Sequence, residues 1–158
     1  EMEILATASD YSAAVAAEPT ATSGIHHNMS WWWQLDNPAA NSLVDRVRER
    51  TGRPPGTYGG TKYAGVHTAL TVMDEIGDPS DADAIVDELS GRTWTRQVYG
   101  ENFEVEFRAC DHRGTLPTVT GLGKPNSERD SEADLLEIID LGDPDEINIP
   151  CSETGCQL

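Results

Sequence analysis

The fold is decided by the stretch from residue 37 to residue 77, NPAANSLVDRVRERTGRPPGTYGGTKYAGVHTALTVMDEIG. It opens with a clear helix start, because Asn37 can act as a cap and Pro38 stands at the first helical position, where the missing N–H needs no partner. Gly52 follows the last turn of this helix as its stop signal. The apolar residues of the helix form a narrow stripe of Leu43, Val44 and Val47.

A second helix is predicted from about Thr61 to Ile76, with Gly77 as its end. Its apolar residues recur at three- and four-residue steps, which is typical of a helix with one buried face. The predicted buried face consists of Tyr63, Val66, Leu70 and Met73. Gly59 and Gly60 precede this helix, and they indicate either a special backbone geometry or a close approach to another part of the chain.

Residues 79–91, PSDADAIVDELSG, predict a third helix that is capped by Ser80 and has an acidic first turn, which suits the helix dipole. Its predicted inward side chains are Ile85, Val86 and Leu89. Each of the three helices has one apolar stripe that needs a partner, yet the chain offers few strands. Either the helices pack on each other, or the sheet that they cover is encoded elsewhere.

Alternating apolar and polar residues mark the strands after the third helix. Residues 102–110, NFEVEFRAC, predict a half-buried strand whose charged residues face solvent. Its predicted apolar face is Phe103, Val105, Phe107 and Ala109. Residues 115–123, TLPTVTGLG, predict a returning strand that forms a hairpin with the first one across the turn DHRG.

Further elements are predicted towards both ends of the chain. The alanine-rich residues 8–19 predict a short helix, and residues 24–34, GIHHNMSWWWQ, predict a strand. Alternation along that strand would send Trp31 and Trp33 to one side and Trp32 to the other. Residues 135–150, LLEIIDLGDPDEINIP, are ambiguous between a strand and a short helix, and we favour a strand.

The composition excludes nucleic acid as a partner. Of the 158 residues, 11 are Lys or Arg and 28 are Asp or Glu, which gives a formal net charge of −17. Binding to a phosphate backbone requires clustered basic residues, which this chain lacks. We interpret the acidic surface as that of a halophilic protein, which stays hydrated in concentrated salt. The alternative is an acidic surface in a low-salt organism.

The cysteines are odd in number, which permits one disulfide and one free thiol. We predict a disulfide between Cys151 and Cys156, which would close a small loop near the C-terminus and indicate an oxidising compartment. In a reducing compartment the same pair would be two thiols. A thiol enzyme built on Cys110 and His112, or a zinc site that combines them with the other two cysteines, is the competing hypothesis. We predict no catalytic residue, no metal and no cofactor.

The order of these segments resembles the C-terminal portion of a type 1 periplasmic binding protein, the extracellular solute-binding component of ABC importers for branched-chain amino acids, amides or urea. Residues 36–91 and the later segment EFRACDHRG, residues 106–114, carry the resemblance, which extends over residues 24–158. It implies an α/β, Rossmann-like fold with helices over a parallel sheet and with strands that cross a hinge. It also implies that an N-terminal half with the remaining sheet is missing from this chain.

The resemblance implies a division into residues 1–24 as the end of lobe two, residues 25–101 as a hinge strand with lobe-one helices, and residues 102–158 as a hinge-crossing hairpin with the lobe-two tail. A small polar solute would bind in the cleft between the lobes, with Tyr58 and Tyr63 as ligand-binding residues. The partners would be an ABC permease and the missing half. The location would be extracellular or periplasmic, with membrane attachment through a part outside this chain. A ligand-sensing receptor domain of the same fold is the alternative.

Overall fold

The computed structural model of the chain describes residues 3–7, 11–16 and 21–156. Within them the helices are α1 Tyr11–Ala16, α2 Pro38–Thr51, α3 Gly59–Ile76, α4 Ala82–Leu89 and α5 Pro144–Ile147. The strands are β1 Leu5–Thr7, β2 His26–Met29, β3 Thr93–Thr95, β4 Glu104–Glu106, β5 Thr118–Gly123 and β6 Leu136–Gly142. The predicted α/β class is confirmed. Residues 135–150, for which we favoured a strand over a short helix, contain both, because β6 is followed by α5. Residues 8–10 and 17–19 of the predicted first helix lie outside the described residues.

The start of α2 is the one that the sequence predicts. The side chain of Asn37 accepts a hydrogen bond from the N–H of Ala40 at 2.8 Å, and Pro38 is the first helical residue. Gly52 ends the helix in the left-handed conformation with φ of 75°, which glycine adopts without steric cost. These signals act over four residues or fewer, so distant contacts do not override them.

The predicted cap of α4 is wrong by one residue. Asp81 accepts the hydrogen bond from the N–H of Ala84 at 3.0 Å, whereas the Ser80 hydroxyl donates to the Asp78 carboxylate at 2.7 Å. A carboxylate is an equally good cap and adds negative charge at the positive end of the helix, so Asp81 displaces Ser80 from this role. On the same helix Val86 is exposed, while Ile85 and Leu89 are half-buried.

The predicted buried face of α3 is also wrong in this chain. The residues of α3 that are buried are Gly60, Ala64, Thr68 and Val72. Of the predicted face, Val66 is 59% exposed, Leu70 is 60% exposed and Tyr63 is 38% exposed. The helix therefore turns its small residues towards the interior, because they allow a close approach, and leaves its large apolar side chains uncovered.

The strands form two sheets. Four strands pair in the order β1-β2-β5-β6, with β1 and β2 parallel and the other two pairs antiparallel. β3 and β4 form a separate antiparallel pair. The expected parallel sheet is thus a mixed sheet in the described residues, because β5 runs antiparallel to both of its neighbours, β2 and β6.

The predicted hairpin between residues 102–110 and 115–123 does not form. β4 pairs with β3, while β5 pairs with β2 and β6, and a single bridge between Phe107 and Gly114 is what remains near the predicted turn. Pairing of β5 with β2, which lies about 90 residues earlier, wins over the local turn because it completes a four-stranded sheet.

The elements form two bodies that share one core. We call β1, α1, β2, β5 and β6 the sheet body, and α2, α3, α4, β3 and β4 the helical body. The chain passes between them through two crossing segments, residues 30–37 and 107–117. Trp31 and Trp32 are both buried in the shared core, and Trp33 is half-buried. The predicted alternation of the three indoles is wrong because β2 ends at Met29 and the chain then turns.

Candidate functional site

A cavity of about 530 Å³ lies where the two bodies meet, and we call it the junction cavity. It is formed by the end of β2, the first turns of α3, the crossing segment 107–117 and the short helix α5. Its polar lining residues are Asn28, Ser30, Thr61, Thr68, Arg96, Arg113, Thr118 and Asn148. Its apolar lining residues include Met29, Val105, Phe107, Leu116, Pro117 and Ile147. Its volume suits a small organic molecule.

The start of α3 borders this cavity and makes two close approaches to other parts of the chain. A methyl group added at Gly60 would lie 2.4 Å from three atoms of the Trp31 indole, and one added at Gly59 would lie 2.6 Å from Pro55 Cβ. The Trp31 indole N–H donates to the carbonyl of Val98 at 3.0 Å. The two glycines therefore allow close approach, as the sequence indicated, and they let a buried indole lie directly under the helix.

Hydroxyl and guanidinium groups form the cavity wall beside α3. The hydroxyls of Ser30 and Thr61 lie 3.0 Å apart, in hydrogen-bonding contact. Arg96 Nε donates to the Thr68 hydroxyl at 2.8 Å, and its Nη1 donates to the Thr95 carbonyl at 2.9 Å. Burial, together with the neighbouring Arg92, lowers the pKa of Arg96. Arg96 is thus engaged within the protein itself.

The opposite wall is a loop, residues 108–114, whose backbone is fixed by several contacts. Arg108 and Asp111 form an ion pair with Nη2 and Oδ2 2.7 Å apart, and both side chains are largely buried. His112 adopts φ of 52°, and its N–H donates to the Arg108 carbonyl at 2.8 Å. The Asp111 carboxylate also accepts the N–H of Arg113 at 3.1 Å. The prediction that Arg108 faces solvent is wrong, because its side chain is buried and its charge is paired with Asp111.

The disulfide of the chain joins this loop to the C-terminal segment. Cys110 is bonded to Cys151, with Cα atoms 5.9 Å apart, and Cys156 is an exposed free cysteine. The predicted pairing of Cys151 with Cys156 is therefore wrong. The chain after β6 folds back over the loop, where Arg108 Nη1 donates to the Ile149 carbonyl at 2.7 Å, and this brings Cys151 to Cys110.

The two tyrosines predicted to bind ligand are both exposed and contact different neighbours: Tyr58 immediately precedes α3, and Tyr63 lies on it. Tyr58 is 43% exposed, with its ring centroid 5.9 Å from Lys62 Nζ. The Tyr63 ring lies 6.0 Å from the ring of His67, and it lines a second cavity of about 400 Å³ together with Arg46 and His67. Tyr63 does not line the junction cavity.

Comparison with known proteins identifies the family. A sequence profile described as periplasmic binding protein matches residues 1–120. The chain belongs to the periplasmic binding protein family. This confirms the resemblance to type 1 periplasmic binding proteins that the segment order indicated. No match was found among curated protein sequences.

Solved structures share the fold of this periplasmic binding protein. An amino acid ABC transporter substrate-binding protein from Pseudomonas fluorescens is 23% identical, with a TM-score of 0.81 over 99% of this chain and 40% of that one. A branched-chain amino acid ABC transporter periplasmic ligand-binding protein from Burkholderia xenovorans is 15% identical, with a TM-score of 0.80 over 92% of this chain and 37% of that one. A solute-binding protein of an ABC transporter from Rhodopseudomonas palustris, solved in complex with 3,4-dihydroxybenzoic acid, is 14% identical, with a TM-score of 0.66 over 83% and 34%. The chain thus spans about 40% or less of these relatives.

The thiol and zinc hypotheses do not fit this periplasmic binding protein. The sulfur of Cys110 is bonded to Cys151, so Cys110 supplies neither a nucleophilic thiolate nor a zinc ligand. Among the described residues, no group of three or more His, Cys, Asp or Glu side chains is arranged to hold a metal ion. None of the described helices is both long and apolar enough to cross a membrane.

Two residues that line the junction cavity of this periplasmic binding protein, Arg96 and Arg113, were not predicted as site residues from the sequence. They lie in the segments RTWTRQ and DHRG, which form no motif. The signal that the sequence does offer for them is the scarcity of basic residues, since Lys and Arg total 11 in a chain of net charge −17. An arginine that borders a cavity in so acidic a protein is a candidate for binding an anion.

Proposed function

We propose that the chain is the C-terminal portion of an extracellular solute-binding component of an ABC importer, and that the complete protein binds a small polar solute reversibly between two lobes. The family match over residues 1–120 carries this proposal. The two bodies, their two crossing segments and the cavity between them support it. No bond is made or broken in this role, because binding alone shifts the lobes towards a closed arrangement that a membrane permease recognises.

We assign the bodies to the lobes that the resemblance implies. Residues 1–24 and 102–158 would belong to lobe two with a hinge-crossing part, and residues 25–101 would contain a hinge strand and lobe-one helices. β1 and β2 pair with β5 and β6 in one sheet, which supports placing the two ends of the chain in the same lobe. β4 pairs with β3 rather than with β5, so the crossing of the hinge begins after Glu106.

The uncovered face of α3 supports the proposal that another part of the protein packs here. Val66 and Leu70 are each more than half exposed, and Tyr63, Lys62 and His67 surround them in a shallow apolar depression. Large apolar side chains at helical spacing are typical of a helix that covers a sheet. We propose that the sheet of lobe one, encoded N-terminal to this chain, covers this face.

The solute class includes branched-chain amino acids, amides and urea-like molecules, with Tyr58 and Tyr63 at the cleft. The solved relatives of similar fold include one that binds 3,4-dihydroxybenzoic acid, which adds aromatic acids to the solutes to be tested. We further propose an extracellular or periplasmic location, with membrane attachment through another part of the protein. The disulfide between Cys110 and Cys151 supports an oxidising compartment. The net charge of −17 supports a high-salt environment.

A titration of the complete protein tests the proposal. The protein would be expressed from its full reading frame and titrated in high salt by isothermal calorimetry with leucine, valine, acetamide, urea and 4-hydroxybenzoate. We expect saturable one-to-one binding of at least one of these solutes, and a change in tryptophan fluorescence on binding. Failure of every solute to bind to folded protein would refute the proposed function.

A further inference from the structure

The junction cavity has an unusual charge for this protein. Of the 158 residues 28 are acidic, yet no Asp or Glu is among the described residues that line the cavity. Two arginines line it instead. A cavity without carboxylates in a chain of net charge −17 is favourable for an anion, which would be repelled from most of the surrounding surface.

Arg113 is the cationic group of this cavity that remains available. Arg96 already donates to Thr68 and to the Thr95 carbonyl, and Arg108 is paired with Asp111. Within the described residues, the Arg113 guanidinium makes no hydrogen bond or ion pair, and only its backbone is engaged. An unpaired guanidinium at a cavity wall can form two parallel hydrogen bonds with a carboxylate.

The loop that carries Arg113 is held in place before any ligand arrives. His112 is the one non-glycine residue with positive φ in the described part of the chain, and such a conformation persists only where the surroundings enforce it. The Arg108–Asp111 ion pair and the Cys110–Cys151 disulfide provide that enforcement. A fixed loop reduces the entropy that Arg113 would lose on binding a ligand.

The other lining residues define the rest of the ligand. Met29, Phe107 and Leu116 contribute apolar surface to the lining, and Ser30 and Thr61 contribute hydroxyl groups. The α5 side is held against the loop by the disulfide and by the hydrogen bond from Arg108 to the Ile149 carbonyl. The cavity therefore combines a positive group, an apolar wall and hydroxyl groups.

Resting on the proposed function, we propose that the junction cavity is part of the solute site and that Arg113 binds the carboxylate of the solute. The solute class is accordingly a small carboxylic acid with an apolar or aromatic body, rather than a neutral amide or urea. Arg113 would form paired hydrogen bonds with the carboxylate, while the body would lie against Phe107 and Leu116.

The test compares matched acids and amides on the complete protein. Isothermal titration would use 4-hydroxybenzoate with 4-hydroxybenzamide, and 4-methylpentanoate with 4-methylpentanamide, alongside the amino acids, acetamide and urea. The variants are Arg113→Gln and, as a control with the same change in net charge, Arg50→Gln, at an exposed position of α2 that does not line the cavity. Arg113→Lys would test whether charge alone is sufficient.

We expect an acid to bind more tightly than its amide. Arg113→Gln should lower the affinity for the acid by roughly tenfold or more, with little effect on any binding of the amide. Arg50→Gln should leave both unchanged, and Arg113→Lys should restore part of the affinity. Equal binding of acid and amide, or wild-type affinity of Arg113→Gln for the acid, would overturn this inference and leave the proposed function intact. Absence of binding by every solute would overturn both.

Discussion

Replacing Gly60 with alanine should destabilise the protein, although alanine is the better helix former. The added methyl would lie 2.4 Å from Cδ1, Cδ2 and Cε2 of Trp31. Carbon atoms in contact prefer a separation of about 3.5–4.0 Å, so a gap of roughly 1 Å has to be opened. Trp31 is fully buried and its indole N–H is bonded to the Val98 carbonyl, so the ring cannot move freely.

The size of the change in stability follows from two costs and one gain. Overpacking a well-packed core costs about 1–3 kcal/mol, and weakening the buried Trp31 hydrogen bond costs about 0.5–1.5 kcal/mol. Helix propensity returns about 1 kcal/mol when glycine becomes alanine. The free energy of unfolding should therefore fall by roughly 2 kcal/mol.

Gly65 provides the matched control on the same helix. A methyl group added at Gly65 has no atom within 4 Å, so Gly65→Ala should raise the free energy of unfolding by about 0.5–1 kcal/mol through helix propensity alone. Urea unfolding of the complete protein and its two variants, followed by far-UV circular dichroism in matched salt, measures both changes. Circular dichroism is preferred because Trp31 itself contributes to the fluorescence.

The reasoning is refuted if Gly60→Ala is as stable as the wild type or follows Gly65→Ala upward. Such a result would mean that the Trp31 indole can move without cost, so that Gly60 is not required for close approach. A fall in stability for both variants would equally contradict the explanation, since it would place the effect in the helix rather than at the indole.

Three further predictions concern the disulfide, a buried carboxylate and the uncovered helix face. Cys151→Ala should lower the free energy of unfolding by roughly 4 kcal/mol, because the disulfide restricts the unfolded chain over a separation of 41 residues. Cys156→Ser should change the free energy of unfolding by less than about 0.5 kcal/mol, and urea midpoints measure both changes. Burial alone would raise the pKa of Asp134, but hydrogen bonds from the Asp130 N–H, Gln34 and Lys124 outweigh it and hold that pKa below its ordinary value of 3.8. The stabilisation that this carboxylate gives to the folded state is therefore complete above that value and is lost as the pH falls through the lower folded pKa. Asp134→Asn should lower the free energy of unfolding by roughly 2–3 kcal/mol at neutral pH and by much less in acid. An equal decrease at both pH values would contradict this. Leu70→Asp should cost roughly 2 kcal/mol or more in the complete protein if lobe one covers α3, whereas a change within about 0.5 kcal/mol would show that the face is solvent-exposed.

The parts of the fold that depend on short-range signals could be predicted from the sequence. The cap and stop of α2, the end of α3 at Gly77 and the identity of β5 as a strand all follow from a few neighbouring residues. The order of helices and strands then indicated the family, because that order is encoded by many such signals in succession. Local chemistry was therefore sufficient for the elements and for the fold class.

The parts that depend on long-range packing could not be predicted. The buried face of α3 is chosen by the approach of Trp31 to Gly60, and periodicity alone favours the larger residues such as Leu70. The pairing of β5 with β2 and of Cys110 with Cys151 joins residues that are distant in the sequence. Arg113 could not be predicted for the same reason, since its proposed role depends on its position in the cavity lining and not on its neighbours in the sequence.

The pairing of Cys110 with Cys151 has a practical consequence for following motion. Of the three cysteines in the sequence, it leaves Cys156 as an exposed thiol. A nitroxide or fluorophore coupled there by maleimide chemistry would lie only five residues beyond the crosslink, which limits its motion relative to the fold. Paired with a second label on α2, it would report solute-driven rearrangement as a change in interspin distance or energy transfer, with the native crosslink left intact.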